Sequence, residues 1–211
     1  MAGFNVAGFR ANGPVYGLAR PTLFAVNMTW PSGIIDTAAV SNATFLIKAA
    51  QLPASIIDAI EVGYFGRKIK LNGDRTFQDW TVTVMNDEDF ALRNAFEQWH
   101  NAINGIIGNR LDSRVASIVP SNQNGGNSYK VDATVTQFSK EGPGDLDGPG
   151  AIKTYKFNGM FPTNIDAMQV DWDATNQYEQ FDVTFAYDWW EPSTGGVDES
   201  LFDLEPEAFT G

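Results

Sequence analysis

Apolar and polar side chains alternate strictly at three places along the chain. In Trp80-Thr81-Val82-Thr83-Val84, Trp80, Val82 and Val84 share one face and the two threonines the other, because successive side chains of a strand point to opposite sides. The same period of two sets Val131, Ala133 and Val135 against Asp132, Thr134 and Thr136. It also sets Phe181, Val183, Phe185 and Tyr187 against Asp182, Thr184 and Asp188. Each pattern predicts a strand with one face in a core and the other wet. Shorter strands are expected over 44–50, 68–71 and 153–157.

One helix is predicted within NDEDFALRNAFEQWHNAINGIIGN, where Phe90, Phe96, Trp99, Ile103 and Ile106 fall along a single stripe. Asn86 or Asp87 can cap its free amides, and Glu88 and Asp89 then occupy the first turn, where the helix dipole favours acids. Gly105 and Gly108 are stopping points, and 109–128 reads as a loop. Asn72-Gly73-Asp74 reads as a turn between two strands, inside an irregular stretch from 53 to 76. Residues 142–150, with four Gly and two Pro, read as another loop.

No repeat of 20 to 50 residues is visible, which sets solenoids and propellers aside. Many short strands with one helix imply a mainly β fold, an antiparallel sandwich or barrel with the helix packed on its side or end. Residues 1–191 form the predicted domain, including an N-terminal arm. Residues 192–211 form an acidic C-terminal arm, in which Leu201, Phe202, Leu204 and Phe209 are enough to dock on a neighbouring subunit; a plainly disordered tail is the other reading.

Composition narrows the chemistry. With 211 residues, 43% of them hydrophobic, the chain can bury one sizeable core. The absence of Cys excludes a disulfide framework, a thiolate metal site and a cysteine nucleophile. The N-terminus lacks the basic start and apolar run of a secretory signal, and no segment approaches the roughly 20 apolar residues of a membrane-spanning helix. A soluble protein is therefore expected.

Residues 1–156 contain 14 Lys+Arg and 14 Asp+Glu, and the last 55 residues contain 12 acids and no base, so the net charge of −12 sits wholly in the last quarter. That distribution argues against a nucleic-acid clamp. Solubility is the plain account of the acids; a surface that avoids adhering to DNA is the sharper one.

Catalytic residues are hard to find. The single histidine, His100, lies one position off the apolar stripe and reads as a helix surface residue. No Gly-x-Ser-x-Gly elbow accompanies it. Asp171-Trp172-Asp173 and Asp87-Glu88-Asp89 could suggest a glycosidase pair or a cation site, but the latter is better explained by helix-start chemistry and neither has calcium-loop spacing. The Gly-rich stretch lacks the Gly-Lys-Ser/Thr ending of a phosphate loop. Trp80, Phe181, Phe185 and Tyr187 sit on apolar strand faces and read as core. Arg67, Lys68 and Lys70 form the only basic knot, too small for a DNA site and better suited to acids on a neighbouring subunit. No enzyme, cofactor or metal site is expected.

At the level of wording, four segments are specific: ARPTLFAVNM from Ala19, KAAQLPAS from Lys48, RKIKLNGDRTFQDWTVTVMNDEDF from Arg67, and FPTNIDAMQVDWDATNQYEQFDVTFAYDWWE from Phe161. In this order, over most of 19–191, they resemble the tail tube proteins of T4-like contractile-tailed phages. The resemblance implies a structural virion protein assembled in the host cytoplasm. Six copies would close their inner strands into one continuous barrel, and stacked hexameric rings would make the tube. Its partners would be further copies of itself, a contractile sheath, a baseplate, a tail terminator and a tape-measure protein in the lumen. Genomic DNA would pass only in transit.

Within that picture, Asp132, Thr134, Thr136, Asp182 and Thr184 are candidates to face the lumen. Arg67, Lys68 and Lys70, on a stretch that reaches the next ring in related tubes, are candidates for inter-ring contact. The alternative is the inner tube of a phage-like injection particle, bacteriocin or secretion type, carrying protein cargo. A monomeric glycan-binding sandwich is the remoter rival.

Overall fold

Strand β7 (Ala151–Ile165) runs through the middle of the main sheet and joins its two halves. The computed structural model describes residues 18–36, 40–115, 128–140 and 150–193. Expectations for the N-terminal arm before residue 18, for most of the loops at 109–128 and 142–150, and for the tail after 193 lie outside these residues.

The described chain runs β1 (Phe24–Met28), α1 (Ala43–Leu46), β2 (Ile47–Ala50), β3 (Ser55–Tyr64), β4 (Arg67–Phe77), β5 (Trp80–Met85), α2 (Ala91–Ile103), β6 (Val131–Phe138), β7, β8 (Gln180–Ala186) and β9 (Trp189–Ser193). Seven strands make one antiparallel sheet in the order β1-β6-β7-β8-β5-β2, with β9 also paired to β7. Among the described residues, β3 and β4 pair only with each other.

β7 pairs with β6 and β9 along its first part and with β8 from Phe161 onward. The handover falls at Gly159, whose φ of +65° is left-handed. A side chain there would run into the carboxylate of Asp188. Asp188 in turn accepts from Lys130 Nζ at 2.8 Å, tying the start of β6 to the β8–β9 junction. Such a bend lets one strand serve two sheet segments that curl around a shared core. Trp80 of β5 consequently stacks on Phe157 of β7, ring centroids 4.5 Å apart, although β8 lies between their strands.

The three alternating patterns behave as strands, and their apolar faces, with Val26 and Met28 of β1, make the core. Helix α2 buries Leu92, Ala95, Phe96, Trp99 and Ala102. It lies along β8 and runs the same way, since Arg93 sits over the Phe181 ring, Phe96 touches both Phe181 and Phe185, and Trp99 meets Phe185. His100 is exposed, as its position off the stripe implied.

Several local expectations are corrected. α2 begins at Ala91, and its N-cap position is Phe90, left-handed at φ 53° with no side-chain cap. Asp87 is used one turn earlier, where its carboxylate accepts from the Glu88 amide and its carbonyl from the Phe90 amide. Glu88 and Asp89 therefore precede the helix, and Phe90 and Ile106 fall outside the buried stripe. The segment 44–50 opens with the single turn α1 before β2 begins at Ile47. At the other end, β9 pairs with β7 as far as Ser193, and Pro192 is accommodated because β9 is an edge strand.

Candidate assembly surface

The stretch read as irregular from 53 to 76 is in fact a long β-hairpin. Its tip is the two-residue turn Phe65-Gly66, both residues left-handed at φ 45° and 75°. That pairing matches the right-handed twist of a hairpin and lets β3 and β4 continue in register from Tyr64↔Arg67. Asn72-Gly73-Asp74 is not a turn but an irregularity in mid-strand. Between Ile57↔Arg75 and Ala59↔Asn72, Asp58 alone faces Gly73 and Asp74. A Cβ on Gly73 would lie 2.8 Å from the Asp58 carbonyl oxygen, so the close approach needs glycine.

Every residue of β3 is exposed. Cross-strand partners share a face, so Ile60/Leu71, Val62/Ile69 and Tyr64/Arg67 form one side, and Glu61/Lys70 and Gly63/Lys68 the other. The first side is apolar apart from Arg67, yet its apolar members keep between 44% (Val62) and 62% (Tyr64) of their surface open. An isolated two-stranded hairpin is marginal in water, and ten residues of strand reach about 30 Å. The pattern is that of a half-buried strand pair with its covering surface missing.

The basic knot is thereby divided. Arg67 stands on the apolar side beside Tyr64, and Lys68 and Lys70 stand on the polar side, where Lys68 Nζ meets Glu61 Oε2 at 2.6 Å. Both partners of that ion pair are exposed, which makes it a weak contribution. Adjacent positions in a strand cannot act as one patch, which the run Arg67-Lys68 in sequence does not reveal. The hairpin itself was traceable in the alternation Ile60-Glu61-Val62-Gly63-Tyr64, but the Asn-Gly-Asp triplet attracted the turn assignment.

The polar strand faces carry the other candidates. Thr184 and Thr81 sit opposite each other on β8 and β5, hydroxyl oxygens 3.2 Å apart. Asp182 is opposite Thr83 and half-buried. On β6, Thr134 is half-buried opposite Lys156. The Asp132 carboxylate accepts from the Gly159 amide at 3.3 Å and lies 3.5 Å from Lys156 Nζ. Thr136 departs from the expectation of an open polar face: it is only 2% exposed, and its hydroxyl is 3.0 Å from that of Thr154. A register shift between Gln137 and Phe138 ends the alternation beside it. Thr81, Thr83 and Lys156 belong to these faces and were not among the candidates.

Among the described residues no group of three or more His, Asp or Glu is placed to hold a metal ion. No helix among them is long and apolar enough to cross a membrane.

A model of the phage tail tube protein family matches residues 19–193. The chain is 38% identical over 173 residues to the tail tube protein gp19 of Enterobacteria phage T4, covering 82% of this chain and 91% of the relative. It is 24% identical over 171 residues to the tail tube protein of Serratia phage KSP90, covering 81% and 86%. Among solved structures, a chain from the anti-feeding prophage cap superposes with a TM-score of 0.56 at 17% identity, covering 86% of this chain and 94% of that one. A chain from the extended sheath-tube complex of an extracellular contractile injection system gives 0.51 at 15% identity, covering 91% and 99%. These structural likenesses establish a shared fold.

Proposed function

Because the chain belongs to the phage tail tube protein family, we propose that it is the repeating unit of a hollow tail tube, six copies closing into a ring and rings stacking end on end. The observation that carries this is the β3–β4 hairpin. It is a strand pair with a continuous apolar side that no other described residue of its own chain covers. A second copy supplies that cover.

Ring closure would use the edges at β1 and β2, which no other described strand pairs. An edge strand offers unpaired amides and carbonyls, and joining six sheets into one barrel removes those edges. Core side chains fill one face of the sheet, so the opposite face is left for the lumen. Thr134, Asp182 and Thr184 line it in this reading, with Asp132 partly neutralised by Lys156 and Thr136 withdrawn. Small hydroxyls wet the wall, and carboxylates repel the phosphates of DNA passing through.

Arg67, on the apolar side of the hairpin, and Lys68 and Lys70, on the polar side, meet different surfaces of the neighbouring copies. The remaining partners are a sheath around the tube, a baseplate that nucleates it, a terminator at its end and a tape-measure protein that DNA replaces. A role in a protein-carrying injection particle is supported only by likenesses of fold at 17% identity or less. The phage reading has relatives at 38%.

Negative-stain electron microscopy of the purified chain over a concentration series is the test. Hollow rods with sixfold end views are expected. A chain that stays monomeric even with baseplate added overturns the reading.

A further inference from the structure

Two large apolar groups stand fully in solvent at opposite ends of the protomer. Trp172, in the connection from β7 to β8, is 103% exposed, and Ile107, in the turn after α2, is 101% exposed. Both stand on hydrogen-bonded turns. The Asp171 carboxylate and carbonyl accept from the amides of Asp173 and Ala174, which sets Trp172 on a crest. Ile106 and Ile107 sit on a second crest, closed by Gly105 N–H to the Arg110 carbonyl and Asn109 N–H to the Gly105 carbonyl.

Helix α2 separates the crests. Arg93 in its first turn donates to the Asp166 carbonyl, at the root of the Trp172 connection. Asn101 in its last turn accepts from the Ile106 amide. Thirteen helical residues span about 20 Å. Because α2 runs along β8, the crests lie beyond opposite ends of the strands. Barrel strands tilt roughly 35–45° from the barrel axis, so strand ends face the two mouths of a ring.

Charge distinguishes the ends as well. Residues 166–179 contain four acids and no base. Next to Ile107 stand Arg110 and Arg114; Arg114 is engaged by Asp112 at 2.7 Å, and Arg110 has no ion pair among the described residues. One end is apolar and acidic on balance, its four acids outnumbering Lys48, over the Tyr178 ring, and Arg93, on the Asp166 carbonyl; the other is apolar and basic on balance, Arg110 standing beside the Arg114–Asp112 pair. Unlike complementary ends make a head-to-tail contact that repeats without closing.

Resting on the stacked-ring reading above, we propose that Trp172 of each copy packs against Ile106 and Ile107 of a copy in the adjacent ring, with Asp171 and Asp173 facing Arg110.

The chain has no cysteine, so disulfide trapping in the full-length protein is clean. Rods of the Trp172→Cys/Ile107→Cys double variant, oxidised mildly, are expected to give a ladder of linked species extending past the hexamer on non-reducing gels. Each single variant is expected to remain unlinked. Asp171→Lys with Asp173→Lys is expected to raise the concentration needed for rod growth about tenfold, and adding Arg110→Glu to restore it.

Rods that form normally but give no links overturn the proposal. So does a ladder ending at six, which marks contact within a ring, and so does dimerisation of Trp172→Cys alone, which marks like ends meeting. Failure of the unmodified chain to form rods even with baseplate added is a separate result that removes the tube reading itself.

Discussion

The carbonyl oxygen of Asp58 lies 2.8 Å from the point that a Cβ on Gly73 would occupy, so β3 and β4 approach each other there more closely than any larger residue permits. Overpacking costs typically 1–3 kcal/mol. Here the hairpin bears it and the core does not. Gly73→Ala is expected to leave the melting temperature of the monomer within a few degrees while rod formation falls sharply, read by calorimetry and electron microscopy on the same sample.

The apolar side of the hairpin separates folding from assembly. Val62 and Ile69 face each other across the strands and are both exposed, and exposed substitutions usually shift stability by about 0.5 kcal/mol or less. Val62→Asp with Ile69→Asp is expected to give a stable monomer that sediments as a single species at every concentration. Arg67→Glu with Lys68→Glu is expected to give rings that fail to stack; rods of normal length from that variant would exclude the basic residues from inter-ring contact.

Asp182 and Thr184 share the polar face of β8, beside Thr83 and Thr81 of β5. If that face lines the channel, Asp182→Lys with Thr184→Lys turns a wall that repels phosphate into one that holds it. Rods of this variant are expected to bind single- and double-stranded DNA in a salt-dependent way, measured by co-sedimentation. Unmodified rods are expected to bind neither.

Trp99 is completely buried, and its indole N–H donates to the Tyr129 carbonyl at 2.8 Å. Trp99→Phe keeps most of the apolar contact with Phe185 and leaves that carbonyl without its partner. A loss of about 1–3 kcal/mol is expected, measured by urea denaturation. Trp99→Ala, which adds a cavity, should cost about 3–5 kcal/mol.

Burial, and after it the negative charge of Asp79, pushes the Tyr187 phenol above its ordinary value of 10.0. The folded state therefore holds this proton more tightly than the unfolded chain. Its contribution to stability is complete below the unfolded value and is lost as pH rises through the higher folded one. The Tyr187 hydroxyl is buried with no hydrogen-bond partner among the described residues. Tyr187→Phe is expected to be neutral or slightly stabilising at pH 7 and to flatten the loss of stability above about pH 10, followed by thermal melts across that range.

Much of the fold is legible in the sequence. Val82, Val131 and Val183 were read onto core faces from alternation alone and are buried, because the period of a strand is a property of neighbouring residues. Phe96 and Trp99 were placed on the buried side of the helix for the same reason. The helix start is not legible, since Asp87 is a competent cap in isolation and only the preceding turn, which uses its carboxylate and carbonyl, shows it already engaged. Of the candidate residues, Asp182 and Thr184 stand on the polar face of β8, Thr136 is buried, and Arg67 and Lys68 lie on opposite sides of their hairpin.

By itself the sequence determined the three alternating strands and the main helix, the faces of these that enter the core, the lack of thiol chemistry and the family to which the chain belongs. Each of these depends on residue identity or on spacing within one segment. Tertiary structure decided the rest. It set the bend of β7 at Gly159, the continuous hairpin through Gly73, the burial of Thr136 beside Thr154, and the exposure of the Ile60, Val62 and Ile69 side. Pairing register and the presence or absence of a covering neighbour control these features. Both are relations between residues far apart in the chain, and no local pattern carries them.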